Sequence, residues 1–279
     1  MPSTDALSSR ADKEEDLEAS TGPRIHHVET HVDDPDLIRI GDSWISRSEL
    51  QQAFGGTLNP GVSYPPSRKF ANPAPLGLSA FGLTTFVLSM ANAGARGNFN
   101  GQVVVGLAYF YGGFIQLLAG MWEMVLENTF GATALSSYGG FWMAFAAINT
   151  DAFGIVSSYG DDLYALNSML GFFLMGWFLF TTMMVLCTLR ATIAFFMLFF
   201  TLDLAFLCLS LSHFIVSSTD AANVNLTRAG GIFGLLSAFL AFYNAYAGVA
   251  SPENALFVVK GFPMPWNRAY QASRNKRSS

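Results

Sequence analysis

The sequence predicts an all-α membrane protein with six transmembrane helices and with both termini in the cytosol. Half of its 279 residues are hydrophobic and only 13% are charged, whereas a soluble chain usually carries about 25% charged residues. The charges are also segregated, because between residues 74 and 250 the only basic side chains are Arg96, Arg190 and Arg228. So long a stretch with so few charges is typical of a domain embedded in lipid.

The N-terminal region has a different composition. Residues 1–67 are rich in Ser, Asp and Glu, which predicts a disordered acidic cytosolic tail. Within this tail a short helix is expected over 46–54, because Ser46 can cap it and Leu50 and Phe54 would share one face. A transient helix in a loose tail is an equally good interpretation.

Residues 68–255 are predicted to form the transmembrane domain, followed by a basic cytosolic tail over 256–279. The first helix is expected to start at Asn72 and Pro73, since Asn caps free N–H groups and Pro is tolerated in the first turn. The 74–95 stretch after them contains no charge and is long enough to cross a bilayer of about 30 Å. The six predicted spans are 74–95, 102–123, 130–149, 168–189, 191–213 and 229–249.

Six spans place both termini on one side of the membrane. Arg96 and Arg228 then fall in outer loops. The basic residues that flank the inner ends are Arg68, Lys69, Arg190, Lys260 and Arg268. This excess favours cytosolic termini, because positive charge accumulates on the cytosolic side.

The second span contains two sets of residues that recur every seven positions. One set is Gly106, Gly113 and Gly120, and the other is Tyr109, Gln116 and Glu123. A row of glycines suits close contact with another helix or another protomer. A row of polar groups suits an aqueous path, because polar groups are costly in lipid. A hydrogen bond from Gln116 to a neighbouring helix is the alternative explanation.

Three acidic residues lie in or near the spans. Glu123 and Glu127 are at the inner end of the second span, and Asp203 lies deep in the fifth. An ionisable group at that depth is either functional or paired. All three are candidates for carrying or sensing a proton.

No enzymatic motif occurs in the sequence. It lacks a G-x-G-x-x-G loop, a Walker loop, an H-E-x-x-H helix and a C-x-x-C pair, so we expect no catalytic residues, no metal site and no cofactor. Basic patches interleaved with aromatic residues are also missing, and nucleic acid is therefore not an expected partner.

Two motifs give a family resemblance. Residues 72–78 read Asn-Pro-Ala-Pro-Leu-Gly-Leu and continue to Thr85, and residues 128–134 read Asn-Thr-Phe-Gly-Ala-Thr-Ala. Over about 68–255 the chain resembles the acetate uptake transporter family, which includes bacterial succinate–acetate permeases and fungal acetate and ammonia-export proteins. The stretch 54–60, Phe-Gly-Gly-Thr-Leu-Asn-Pro, is similar to fungal members in particular.

The resemblance implies a function. We expect proton-linked uptake of acetate and related short monocarboxylates through a path within each protomer of a homo-hexamer, at the plasma membrane. Alternatives that remain open are an ammonia or ammonium export channel, a membrane sensor of acetate, and residence in the vacuolar or another internal membrane.

The resemblance also implies a hydrophobic gate formed by Phe81, Tyr138 and Leu202. At 1.5 Å per residue, these three lie about 14–18 Å up the first, third and fifth helices, which is near the bilayer midplane. Further substrate-binding candidates are Asn72, at the start of the first helix, Thr85 and Gln116.

Eleven residues beyond the three gate positions lie Asn92, Asn149 and His213. Eleven residues make about three helical turns, so these side chains should face the same path near its outer mouth. There they could hold an arriving carboxylate, and protonation of His213 should raise uptake as the external pH falls. Ordinary polar residues at helix ends are the alternative.

Overall fold

The computed structural model describes residues 29–30, 34, 37–40, 43–46, 70–97, 99–216, 221–259 and 261–266. The chain divides into two compact units, Met1–Lys69 and Phe70–Ser279. The acidic residues before 29, the motif at 54–60, most of the expected helix over 46–54 and the basic residues after 266 lie outside the described residues.

The first unit contains a small antiparallel sheet, which the prediction of an all-α chain with a disordered tail did not include. Its strands are β1 (Glu29–Thr30), β2 (Leu37–Ile40) and β3 (Ser43–Ser46), in the order β1-β2-β3. Ser46 is the last residue of β3, opposite Leu37, and the residues expected to follow it in a helix lie outside the described part of the chain. The signal was present in the sequence, because two runs with β-branched residues separated by Gly-Asp are typical of a hairpin.

The described residues of the second unit contain six long helices. They are α1 (Ala74–Asn92), α2 (Val104–Val125), α3 (Thr129–Ile148), α4 (Leu163–Thr188), α5 (Ile193–Phe214) and α6 (Val224–Val249). All except α3 are long and apolar enough to cross a membrane. The 20 residues of α3 are rich in Gly, Ser and Ala, which lowers its hydropathy. The predicted helical fold is confirmed, with five helices that could span a membrane.

Polar caps set several helix boundaries. The Asn128 carboxamide oxygen accepts a 3.0 Å hydrogen bond from the N–H of Gly131 at the start of α3. Asp162 caps α4 in the same way, and Asn223 caps α6. Because these caps precede the apolar stretches, α4 and α6 begin several residues earlier than hydrophobicity alone indicates.

The middle of α2, Phe110–Ile115, is π-helical. A π-turn is wider than an α-turn, so residues seven apart across it do not stay on one face. A Cβ atom added at Gly106 would accordingly meet open space, whereas one added at Gly113 or Gly120 would collide with Met143 or Ser136 of α3. Of the three evenly spaced glycines, only Gly113 and Gly120 therefore lie at the predicted helix contact.

The helices of the second unit pack against one another in a series of neighbouring pairs. The backbone of α4 lies against α5, α5 against α6, α6 against α1, α1 against α2, and α2 against α3. Large side chains close the remaining seam between α3 and α4. Phe141 stacks on Phe173 with ring centroids 5.8 Å apart, and Tyr138 contacts Trp177 at 6.0 Å. The core of the second unit is thus an aromatic cluster.

Residues 261–266, assigned to the C-terminal tail by the sequence, pack against the turn between α4 and α5. The N–H of Met264 donates to Ala191 O at 3.1 Å, and the indole N–H of Trp266 donates to Leu189 O at 2.6 Å. These contacts satisfy carbonyl groups that the end of a helix leaves without partners.

Replacing Gly120 by Ala should destabilise the protein. A Cβ atom at this position would lie 2.5 Å from the backbone nitrogen of Ser136, and forcing extra volume into such a contact costs about 1–3 kcal/mol. The matched control is Gly106→Ala, where the space is open. Thermal unfolding of the purified protein in detergent should show a lower midpoint for Gly120→Ala only. Equal midpoints would mean that α2 and α3 do not cross here.

Candidate substrate path

Three cavities lie in series within the second unit. The widest, here called the wide cavity, measures about 300 Å³ and is lined by Asn92, Asn149 and His213. The middle cavity measures about 40 Å³, and the narrow cavity about 20 Å³. Volumes that fall from one cavity to the next describe a funnel that closes inside the helix bundle.

Shared lining residues establish the order of the cavities. Leu88, Asn92 and Phe141 line both the wide and the middle cavity. Phe81 and Leu202 line both the middle and the narrow cavity. The middle cavity therefore connects the other two, and Phe81 and Leu202 separate it from the narrow one.

Phe81, Tyr138 and Leu202 meet at the narrow cavity, which all three line. The rings of Phe81 and Tyr138 are 6.0 Å apart, and each of the three side chains is at most 5% exposed. They come from the middles of α1, α3 and α5. The structure thus brings the three sequence-predicted gate residues to one constriction.

The Tyr138 ring contacts aromatic side chains of three other helices. Besides Phe81 it contacts Phe180 of α4 at 5.5 Å and Phe199 of α5 at 6.3 Å. Its hydroxyl group forms a 3.0 Å hydrogen bond with Thr181 Oγ1. Sequence reasoning missed Thr181, since a partner 43 residues away leaves no local signal.

Asn92, Asn149 and His213 come together in the wide cavity, as their spacing predicts. His213 Nδ1 lies 2.6 Å from Asn167 Oδ1, and the amide nitrogen of Asn167 donates to Leu163 O at 3.0 Å. The Asn167 oxygen is therefore the atom that faces the imidazole, and Nδ1 donates to it. This tautomer leaves Nε2 as the nitrogen that can gain a proton.

Asn149 uses part of its hydrogen-bonding capacity within its own helix. Its amide nitrogen donates to Phe145 O at 2.8 Å. An NH₂ group has two hydrogens, so one donor remains for a ligand in the wide cavity.

Three buried polar groups near the constriction have no hydrogen-bond partner. They are Thr85 Oγ1, both amide atoms of Gln116, and Trp142 Nε1. Thr85 and Trp142 line the middle cavity, and Gln116 lines the narrow one. Buried polar groups without partners are rare in folded proteins and call for an explanation. Trp142 was not predicted from the sequence, although it stands one helical turn after Tyr138.

The remaining predicted binding residue, Asn72, lies elsewhere. Its side chain is exposed, and its oxygen accepts a 3.0 Å hydrogen bond from the N–H of Ala74. Asn72 lines none of the three cavities. The structure therefore gives it the capping role that the sequence indicates and no contact with the constriction.

The three acidic candidates also lie off the cavities. Glu123 is buried, with one oxygen 2.6 Å from the donor nitrogen of Asn128 and the other without a partner. Asp203 accepts a 2.9 Å hydrogen bond from Thr182. Glu127 is exposed and has a backbone φ of 59°. Only Glu123 combines burial with an unused oxygen.

Comparison with known proteins shows extensive similarity. The model of the GPR1/FUN34/yaaH family matches residues 54–266. The chain is 53% identical over 232 residues to "Ammonia transport outward protein 2" of Saccharomyces cerevisiae, covering 83% of this chain and 80% of that protein. It is 52% identical over 248 residues to "Acetate permease A" of Emericella nidulans, covering 85% and 83%.

A solved structure is also similar. "Structure of the bacterial acetate channel SatP" aligns with a TM-score of 0.57 at 31% identity, covering 69% of this chain and 99% of that one.

Replacing Gln116 by Leu should stabilise the protein. A buried amide without partners costs about 1–3 kcal/mol, and Leu has a similar volume and no polar atoms. The thermal midpoint should therefore rise. Gln102→Leu, at an exposed glutamine, is the control and should leave the midpoint unchanged. A lower midpoint for Gln116→Leu would show that the amide makes stabilising hydrogen bonds after all.

Proposed function

The chain belongs to the GPR1/FUN34/yaaH family of acetate transporters and channels, and we propose that it moves acetate and related short monocarboxylates across the plasma membrane. The observation that carries this proposal is the series of three cavities ending at Phe81, Tyr138 and Leu202. The similarity to an acetate permease and to an acetate channel supports the choice of substrate.

The chemistry of the wide cavity suits a carboxylate. At neutral pH a short carboxylic acid is almost wholly ionised, so it needs donors that replace its bound water. Asn92 and Asn149 provide amide donors, and His213 provides a donor at Nε2 once that nitrogen is protonated, without a fixed negative charge in the lining. They are the proposed site where the anion first loses water.

The narrow cavity suits selection by size. Its volume of about 20 Å³ leaves space only for small groups, and its lining is largely apolar. A bulky acid would have to displace the rings of Phe81 and Tyr138, which are buried in an aromatic cluster. We propose that these rings and Leu202 form the gate, and that Thr85 and Gln116 offer polar contacts on either side of it.

The proposed topology has six spans and cytosolic termini. Although α3 is less apolar than the others, its 20 residues are long enough to cross a bilayer. It also carries Tyr138 into the same cluster as Phe81 and Leu202. With the termini inside, the wide cavity opens outward, because it lies at the C-terminal ends of α1, α3 and α5.

Uptake is proposed to be linked to protons, with Glu123 as the first candidate for coupling. One of its oxygens holds Asn128, which caps α3, and the other has no partner. A change in the protonation of Glu123 would therefore act directly on the helix that carries Tyr138. Asp203 and Glu127 are the further candidates.

We propose that the protein forms a homo-hexamer, each protomer containing its own path. In the single chain the described surface of α2 exposes large apolar side chains, among them Phe110 and Met121. Such a surface faces either lipid or a neighbouring protomer.

Export of ammonia or ammonium is the second candidate function, favoured by the similarity to an ammonia transport outward protein. Uptake of labelled acetate into cells lacking other acetate carriers tests the first function. Ammonia release from the same cells tests the second. Acetate uptake that depends on the protein supports the proposal, and ammonia release without acetate uptake would replace it with the alternative.

Replacing Phe81 by Ala should admit larger acids. Removing the ring widens the constriction at the boundary of the middle and narrow cavities, so lactate uptake should rise relative to acetate uptake. The matched control is Phe86→Ala on the same helix, since Phe86 packs against Phe239 and not in the cavities. Competition between the two labelled acids measures the ratio. An unchanged ratio in folded Ala variants of Phe81, Tyr138 and Leu202 would refute the gate.

Replacing His213 by Gln should flatten the dependence of uptake on external pH. Protonated His213 adds a positive charge beside the arriving anion, so acetate affinity in the unmodified protein should rise between pH 7 and pH 5 by more than in the variant. Initial uptake rates over a range of acetate concentrations at both pH values measure the affinity.

Asn149→Ala should weaken acetate binding at both pH values, because it removes a donor from the wide cavity. Asn244→Ala is its control, since Asn244 likewise donates to a carbonyl one turn back, at 2.7 Å, but lines none of the cavities. Unchanged affinity in both His213→Gln and Asn149→Ala would leave these residues as ordinary polar groups at helix ends.

A further inference from the structure

Two consecutive threonines of α4 bind the helices that carry two of the gate residues. Thr181 Oγ1 is 3.0 Å from the hydroxyl oxygen of Tyr138 on α3. Thr182 Oγ1 donates at 2.9 Å to Oδ1 of Asp203, which directly follows Leu202 on α5. Neither threonine lines any of the three cavities.

We propose that Thr181 and Thr182 are positioning residues. From the side of the gate that faces away from the cavities they fix its width, and so determine the size of acid that passes. The inference rests on the proposed gate and adds to it the element that holds the gate in place. It assigns a role in selectivity to α4, which contributes no gate residue of its own.

The Thr181 hydrogen bond crosses the seam between α3 and α4. The backbones of α1, α2 and α3 pack in order, as do those of α4, α5, α6 and α1, whereas α3 and α4 meet mainly through aromatic side chains. Aromatic contacts allow sliding and rotation, but a hydrogen bond has a defined length and direction. Thr181 therefore fixes where the Tyr138 ring lies across this seam.

The hydrogen bond between Thr181 and Tyr138 is buried. Thr181 is 0% and Tyr138 is 3% exposed, so water cannot replace the bond if it breaks. A buried hydroxyl group that loses its partner incurs its full desolvation cost. The arrangement with the bond formed is therefore favoured over arrangements in which Tyr138 swings away.

Thr181 and Thr182 point in different directions from α4. Consecutive residues on a helix point about 100° apart, so Thr181 and Thr182 reach two different helices from one place. Thr182 Oγ1 also lies 3.0 Å from Phe178 O, so its single hydrogen is shared between Asp203 and a carbonyl of its own helix. One turn of α4 thus sets the separation of α3 and α5 at the level of the gate.

The test compares isosteric variants in proteoliposomes containing the purified full-length protein. Thr181→Val keeps the shape but removes the hydroxyl group, and it should raise the ratio of lactate flux to acetate flux by about fivefold, the effect of losing one buried hydrogen bond. The KM for acetate should stay unchanged, because Thr181 does not touch the cavities. Thr181→Ser, which keeps the hydroxyl group, should restore the original ratio.

Thr188→Val is the matched control. Thr188 is also a buried threonine of α4, but its hydroxyl group donates only within its own helix, to Val185 O at 2.7 Å. Its replacement should leave the flux ratio unchanged. Thr182→Val should raise the ratio, and Thr182→Ser should restore it.

Tyr138→Phe removes the same hydrogen bond from the other side and keeps the ring. It should reproduce the effect of Thr181→Val, and the double variant should show no further change. Tyr138→Phe therefore tests the positioning role even if Thr181→Val does not fold.

Two outcomes would overturn the inference. If Phe81→Ala changes the flux ratio while Thr181→Val and Tyr138→Phe do not, the gate exists but α4 does not position it. If folded Ala variants of Phe81, Tyr138 and Leu202 also leave the ratio unchanged, the proposed gate itself fails, and the positioning role fails with it.

Discussion

The packing of the Tyr138 ring is the interaction on which the closed arrangement of the helices depends. The ring touches Phe81 of α1, Phe180 of α4 and Phe199 of α5, and so joins four of the six helices at one point. Its hydroxyl group is satisfied by Thr181, so burial of the ring leaves no polar atom without a partner. Lipid provides no hydrophobic force between helices, and close packing and hydrogen bonds of this kind must supply the cohesion.

The same packing explains why the cavities change in character along their length. Polar groups are tolerated in the wide cavity because it lies where α1, α3 and α5 end. Near the constriction the polar groups of Thr85, Gln116 and Trp142 are buried without partners, at a cost in stability. Polar groups kept at such a cost are typical of functional sites, where stability is lost in exchange for activity. An anion that crosses this region would find donors there.

Much of this architecture could be predicted from the sequence, because apolar stretches between polar caps allow little besides helices in lipid. The eleven-residue spacing also placed Asn92, Asn149 and His213 at one cavity, although their role in binding remains a proposal. The π-helical segment of α2 could not be predicted from a regular helical period. Contacts such as that of Thr181 with Tyr138 depend on how distant helices pack, which one sequence does not reveal. The β2–β3 hairpin was overlooked because acidic composition outweighed a short local pattern.

The central claim is that the constriction within a single protomer selects short monocarboxylates. The most direct test measures the flux of formate, acetate, propionate, butyrate and valerate through the purified protein in proteoliposomes, with protein-free liposomes subtracted at each chain length. A steric gate predicts high rates for the shortest acids and a steep fall as the chain lengthens. Rates that stay level across the series, or that match protein-free liposomes for acetate, would contradict the account.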